Sequence, residues 1–300
     1  MYMKRLSLFI AILGLACTLL FAGKASATVS VSLRPVKYIL DINPGTQYND
    51  EIIVINGSDQ AITLKADLQD FVPAGEASIN VVPHAGPGTS LVDWINIDRG
   101  AITFAPNEEK RIPFSINIPQ NAAPGSHLAV IYFDSTPDIN GTGSSVGITT
   151  KVGSLVMVSV PGNISKAGSV DSFSGPITVE NGPISFTIKY HNSGSVHYKP
   201  EGTIEIKNLL GQTVSQGTVD SQYVFANTSR TMNGTVASAQ YYWGPNKAVL
   251  HIKDGEGKEQ VVTYQFWGLP WRVTVLPLIG VILLIIGIVY LKKKVKISFK

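Results

Sequence analysis

From about residue 28 to residue 266 the chain is written in short period-two runs of β-branched and aromatic residues, cut by Gly, Pro and Asn. Ile52-Ile53-Val54-Ile55, Ile62-Thr63-Leu64-Lys65-Ala66, Ile112 to Ile118, Leu128 to Phe133, Leu155 to Val160 and Ile184 to Tyr190 are examples. Side chains on a strand alternate between its faces, so this rhythm fits half-buried strands and cannot lay one continuous stripe along a helix. Amphipathic helix patterns of useful length are missing from this stretch. Charged residues make up only 15% of the chain, with 28 Gly and 17 Pro, a composition foreign to helical bundles, coiled coils and charge-rich disordered chains. The expected fold is all-β: two tandem Ig-like antiparallel β-sandwiches followed by one C-terminal transmembrane helix.

Both ends carry targeting signals. Lys4 and Arg5 precede the apolar run Leu6 to Ala22, and Ala25-Ser26-Ala27 supplies small residues for a peptidase, so residues 1–27 read as a secretory signal peptide. The only cysteine, Cys17, sits inside that run with Gly14 three positions before it, where a lipoprotein signal needs an aliphatic residue. Removal of the leader would leave a chain with no disulfide, thiolate metal site or thiol nucleophile. Residues 273–291 are 19 residues without a charge, about 28 Å of helix at 1.5 Å per residue, enough to cross a bilayer core. Trp267 and Trp271 flank the outer edge at headgroup level, and Lys292, Lys293 and Lys294 open the basic tail 292–300, which the positive-inside rule keeps in the cytoplasm. The expected location is the cell membrane, crossed once, with the strand-rich part outside. Leu276-Pro277-Leu278-Ile279-Gly280 superficially matches a wall-sorting signal, but Ile279 replaces the required Thr and the segment lies inside the apolar run.

These ends also explain the charge. Of 24 basic residues, three lie in 1–27 and six in 272–300; the 15 between them face all 21 acids, a net of −6. A folded part of that sign lacks the basic face a nucleic-acid binder needs. Gly, Ser and Pro cluster from Pro161 to Ser174, which places a boundary between a first sandwich at 28–163 and a second at 170–266. Two irregular excursions are expected in the first, Val72 to Thr89 and Asp134 to Gly147. A late hairpin pairs Ala248 to Lys253 with Val261 to Phe266 across Asp254-Gly255-Glu256-Gly257.

The order of turns and strands carries a resemblance. Pro35, Leu40-Asp41-Ile42-Asn43-Pro44-Gly45, the strand ending at Asn56, Trp94-Ile95-Asn96-Ile97, Phe104-Ala105-Pro106-Asn107-Glu108-Glu109, Phe114-Ser115-Ile116, Ile118-Pro119 and Pro124-Gly125 follow one another. This series resembles the first domain of the WxL-interacting cell-surface proteins of Gram-positive bacteria, and is also similar to the leading Ig-like domain of periplasmic pilus chaperones. The order of two sandwiches, a membrane helix and a basic tail agrees with the former. The resemblance implies binding to peptidoglycan or to a host or envelope protein partner, without assigning single residues. The chaperones it also resembles are usually soluble, whereas this chain reads as tethered.

Motifs for catalysis lack their context. Gly143-Ser144-Ser145-Val146-Gly147 fits G-x-S-x-G, but a nucleophile elbow needs a strand before and a helix after, and here a Gly/Ser loop precedes a β-like Ile148-Thr149-Thr150. The five histidines, His84, His127, His191, His197 and His251, show no metal-ligand spacing. Asp138-Ile139-Asn140-Gly141 lacks the twelfth-position Glu of a calcium loop. Asp67, Asp70 and Asp98 are lone carboxylates in sequence, and the sequons at Asn56, Asn140, Asn163, Asn227 and Asn233 are of the kind that arise by chance in a Ser/Thr-rich chain. No cofactor is implied. Tyr241-Tyr242-Trp243 before Gly244-Pro245 is the candidate partner-binding surface, since clustered aromatics stack on sugars or anchor a partner; the alternative is core aromatics ending a strand.

Three functions follow. The first is a non-enzymatic, membrane-anchored surface protein binding the cell wall or an envelope protein. The second is a chaperone-like assembly factor working by β-strand addition, which requires a long open edge strand. The third is a surface serine hydrolase, which requires a histidine and a carboxylate within reach of Ser145.

Overall fold

The computed structural model describes residues 30–76, 78–86, 89–135, 150–238 and 240–297. The leader 1–27 with Cys17, the G-x-S-x-G serine Ser145, Asp138 to Gly141, and all but the first two residues of the 134–147 excursion lie outside the described residues.

The alternation of the sequence becomes the alternation of burial. One sheet runs, in spatial order, β1 (Val31–Arg34), β3 (Gln47–Asn56), β8 (Glu109–Asn117) and β6 (Ile95–Ile97). Its mate runs β2 (Lys37–Asp41), β10 (Lys151–Val160), β9 (Gly125–Ser135) and β4 (Ile62–Pro73), and β4 pairs with both β5 (Ile79–Val82) and β7 (Ala101–Phe104). The first two strands thus belong to different sheets, with Pro35 between them. The inward set of β3, Ile52 and Val54, meets Leu64, Phe104, Ile116, Ile131, Phe133 and Val158 in a dry core. Burying side chains of this size contributes about 1.5–3 kcal/mol each, the main source of stability in a chain without disulfides.

The second unit is a single eight-stranded sheet folded over its own core. Its order is β11 (Gly168–Ser174), β13 (Ile184–Asn192), β16 (Thr228–Val236), β15 (Thr213–Asp220), β14 (Glu201–Lys207), β17 (Gly244–Lys253), β18 (Glu259–Gly268) and β12 (Thr178–Val179). In β13 the inward residues are Ile184, Phe186, Ile188, Tyr190 and Asn192. They pack with Ile204, Met232, Leu250 and Phe266. Strands β11 and β18 are stitched by one side chain: Gln260 on β18 accepts from Val170 N at 3.0 Å and donates to Gly168 O at 2.9 Å on β11. Pairing is antiparallel except for β2 on β10 and β12 on β18, which run parallel. The late hairpin forms with longer arms than the alternation suggests, from Gly244 to Gly268.

The excursion after Val72 contains the short strand β5 and is clamped at its far end. Asp70, fully buried on β4, accepts from Ala85 N at 2.7 Å, Ser90 Oγ at 2.6 Å, Leu91 N at 3.0 Å and Val92 N at 3.2 Å.

The two units are docked, with residues 161–167 running between β10 and β11. Phe71, Val130 and Met157 of the first form an apolar cluster with Phe225 of the second, Phe71 and Phe225 meeting edge-on at 5.6 Å. Beside it, His197 N donates to Ser126 Oγ at 2.8 Å and the Ser126 hydroxyl lies 2.6 Å from His197 Nδ1. Gly125 precedes Ser126 at this junction with φ 135°, and a Cβ there would stand 3.3 Å from Ser195 O, so glycine suits both the conformation and the space.

Candidate functional site

The antiparallel order of the second sandwich sends its connections alternately to two ends. Those at 193–200, 221–227 and 254–258 lie on the side of the junction. Those at 175–177, 208–212 and 237–243, together with the end of β18, lie at the opposite end, where the helix α1 (Trp271–Ile297) departs. All five aromatic residues singled out in the sequence fall at this second end.

The aromatic triplet divides by side. Tyr242 points inward and is 1% exposed; its ring meets Phe266 at 5.8 Å and its hydroxyl lies 2.8 Å from Ser215 Oγ. It is a core residue and cannot serve as a partner contact, which corrects the expectation for that position. Its main-chain N–H donates to Glu180 O at 3.1 Å, holding the turn. Gly268 of β18 passes beneath, and a Cβ there would fall 2.2 Å from the Tyr242 carbonyl carbon. Tyr241 and Trp243, on either side of it, are exposed.

Trp267 is also exposed, on the outward face of β18, and its main-chain N–H donates to Ile177 O at 2.9 Å. Trp271 opens α1, its ring 5.4 Å from the Arg272 guanidinium. Arg272 pairs with Glu180 at 3.5 Å, and its own N–H donates to Glu180 Oε1 at 3.0 Å. The helix therefore starts two residues earlier than the uncharged run and continues past Lys292, Lys293 and Lys294 to Ile297.

The sequence reading missed the aliphatic neighbours of these rings. Among the described residues, Ile177 and the pair Leu209-Leu210 are the most exposed large apolar side chains of the two sandwiches. Leu209 and Leu210 cap a turn that Asn208 holds, its Oδ1 accepting from Leu210 N and Gln212 N, both at 3.0 Å. Two leucines inside an Asn-x-x-Gly turn are a readable signal, since turns are otherwise polar.

Elsewhere the candidate chemistry disperses. His84 meets Asp93 at 3.0 Å, His191 meets Ser229 at 3.0 Å and His251 meets Glu259 at 2.9 Å, on different surfaces. His127 is buried between Thr89 O and Ala123 O, its ring 4.3 Å from Trp94. Around His251, Glu201, Glu205, Lys253 and Glu259 line a polar groove, and hydrogen bonding to Lys207 holds the Glu205 carboxyl below its ordinary range. Among the described residues, no group of three His, Cys, Asp or Glu is placed to hold a metal. Asp67 lies 4.0 Å from Lys151, and Asp98 accepts from Gly100 N at 2.8 Å. The sequon residue Asn56 is fully buried.

No family model and no curated protein matches the chain. Among solved structures it is similar to a chaperone–tip adhesin complex of CFA/I fimbriae biogenesis, at TM-score 0.41 and 13% identity, covering 80% of this chain and 100% of that one. It is similar to the class 5 fimbriae chaperone CfaA at TM-score 0.39 and 13% identity, over 80% and 100% of the two chains. It is also similar to the E. coli chaperone DraB at TM-score 0.37 and 13% identity, over 79% and 96%.

Proposed function

We propose that this chain is a membrane-tethered, non-enzymatic binding protein of the bacterial surface, whose docked sandwiches stand outside the membrane and engage the cell wall or an envelope protein. The observation that carries the reading is the relation of α1 to the sandwiches. The helix follows β18 after Leu269 and Pro270, and none of residues 271–292 is buried. A helix apolar on all sides and unpacked against its own protein needs an apolar medium, and its 22 residues from Trp271 to Lys292 are long enough to cross one. Lysines at its far end keep that end cytoplasmic and the sandwiches outside. The resemblance to WxL-interacting surface proteins points the same way.

Strand addition is the less favoured mechanism. In the first sandwich the edge strands β1, β2, β5, β6 and β7 have three to five residues each, and short edges are poor templates for an incoming strand.

Co-sedimentation of the detergent-solubilised full chain with purified cell-wall sacculi over a salt series tests the reading. Salt-resistant pelleting is expected of a wall binder. No pelleting, together with no crosslinked envelope protein on intact cells, would overturn it.

A further inference from the structure

The end of the second sandwich that bears the helix exposes large apolar side chains from several of its connections. Ile177 (76% exposed) lies between β11 and β12, Leu209 (75%) and Leu210 (80%) between β14 and β15, Trp243 (57%) before β17, and Trp267 (59%) at the end of β18. These side chains are one surface. Leu209 lines a hollow with Ile177 and Trp267, and a second hollow with Leu210, Tyr241 and Trp243. Isolated exposed apolar residues need no explanation, but a contiguous group with two tryptophans marks a contact. At the opposite end of the same sandwich, by contrast, Phe225 is covered by the junction cluster.

Position and charge identify what covers it. We infer that this rim seats on a lipid bilayer, with Leu210, Trp243 and Trp267 at the outer headgroup layer; the inference rests on the proposal that α1 crosses the membrane. Leu269 and Pro270 are the only residues between β18 and α1, and two residues reach at most about 7 Å. That link is held as well: Leu269 N donates to Val179 O and Trp271 N to Leu269 O, both at 2.8 Å. The headgroup region adds roughly 5–8 Å on each side of the hydrocarbon core. A rim tied that closely to the start of a spanning helix lies within this layer. Tryptophan favours that depth, where its ring meets hydrocarbon and its N–H meets water.

The charges agree. Residues 28–271 carry a net of −6, which an anionic bilayer repels, but the rim connections are nearly free of acids. The one acid within them, Glu180, is paired with Arg272, and at the nearest strand end Glu205 is paired with Lys207 at 3.2 Å. A bilayer surface therefore meets apolar side chains and compensated charge here.

The test uses the full chain carrying Cys17→Ala, reconstituted in vesicles of phosphatidylglycerol and phosphatidylcholine, with single cysteines labelled by a polarity-sensitive fluorophore. Leu210→Cys reports the rim, Leu284→Cys the middle of the helix and Asp59→Cys the first sandwich. The expected result is about two-fold quenching of the Leu210 label by lipid spin-labelled near the headgroup, quenching of the Leu284 label by lipid spin-labelled deep in the chain, and none at Asp59. A quenched Leu284 label with an unquenched Leu210 label overturns the rim contact alone. An unquenched Leu284 label overturns the membrane-spanning reading and the rim contact with it.

Discussion

Asn56 and Asn192 do the same work in the two sandwiches. Each is the last residue of its strand, β3 or β13, and each is fully buried. Asn56 Nδ2 donates to Gln60 O and Ala105 O, both at 2.8 Å, and its Oδ1 accepts from Ser58 N at 3.0 Å. Asn192 Nδ2 donates to Val196 O at 2.8 Å and Val224 O at 2.9 Å, and its Oδ1 accepts from Gly194 N at 2.8 Å. In both, the amide binds the carbonyl four residues on, a distant carbonyl, and the N–H two residues on. An amide suits this site because it offers two donors and an acceptor on one short side chain.

Replacing either asparagine by alanine removes two amide donors and an acceptor from the backbone around a strand end, from buried groups at Asn192 and partly buried ones at Asn56, at a cost of about 1–3 kcal/mol. The two sites are in different units with no shared partner, so the double variant is expected to lose the sum. Urea unfolding of the single and double variants measures this, and a loss below about 0.5 kcal/mol at either site would contradict the staple role.

Asp70 makes a sharper case, because one carboxylate holds four donors of the 85–92 segment. Asp70→Ala leaves those groups without their partner and is expected to cost about 3 kcal/mol or more. Asp70→Asn keeps the shape but turns an N–H₂ toward N–H donors, so it rescues only part. Limited proteolysis should show the 83–92 segment cut first in Asp70→Ala; unchanged cleavage would remove the clamp from the account.

Neighbouring tyrosines should behave oppositely. Tyr242→Ala opens a cavity beside Phe266 and strands Ser215 Oγ, with an expected loss of about 3–5 kcal/mol. Tyr241→Ala removes an exposed ring and should change stability by less than about 0.5 kcal/mol. Thermal unfolding of the pair decides; equal losses would place both rings in the core.

Strands were the legible part, because burial follows a period of two and Ile184 to Asn192 shows it in the letters. Clustering alone misplaces Tyr242: three consecutive aromatics on an extended chain cannot all face one way, and nothing local says which one the core takes. Asp70 reads as a lone carboxylate because its donors lie 15 to 22 positions downstream, a loop closure that sequence spacing does not encode. Asn56 and Asn192 are visible as strand ends, but their likeness appears only once Ala105 and Val224 are brought beside them. Leu209-Leu210 is readable in principle, as an apolar pair in a turn, but two aliphatic residues are a weaker signal than the aromatic triplet.

His197 makes the junction between the sandwiches sensitive to acid. Burial lowers its pKa from 6.5 to about 4, opposed slightly by Asp41, and the neutral ring can accept the Ser126 hydroxyl proton at Nδ1. Between these two values the unfolded chain binds a proton that the folded chain refuses. Stability from this group is therefore complete above about pH 6.5, declines as the pH falls, and is lost by about pH 4, a total near 3 kcal/mol. Denaturant unfolding at pH 7 and pH 4.5 should show most of that decline in the native chain and a shallower one in His197→Gln, which has no imidazole to protonate. Identical pH slopes in the two proteins would mean that His197 takes up its proton at the same pH whether the chain is folded or not.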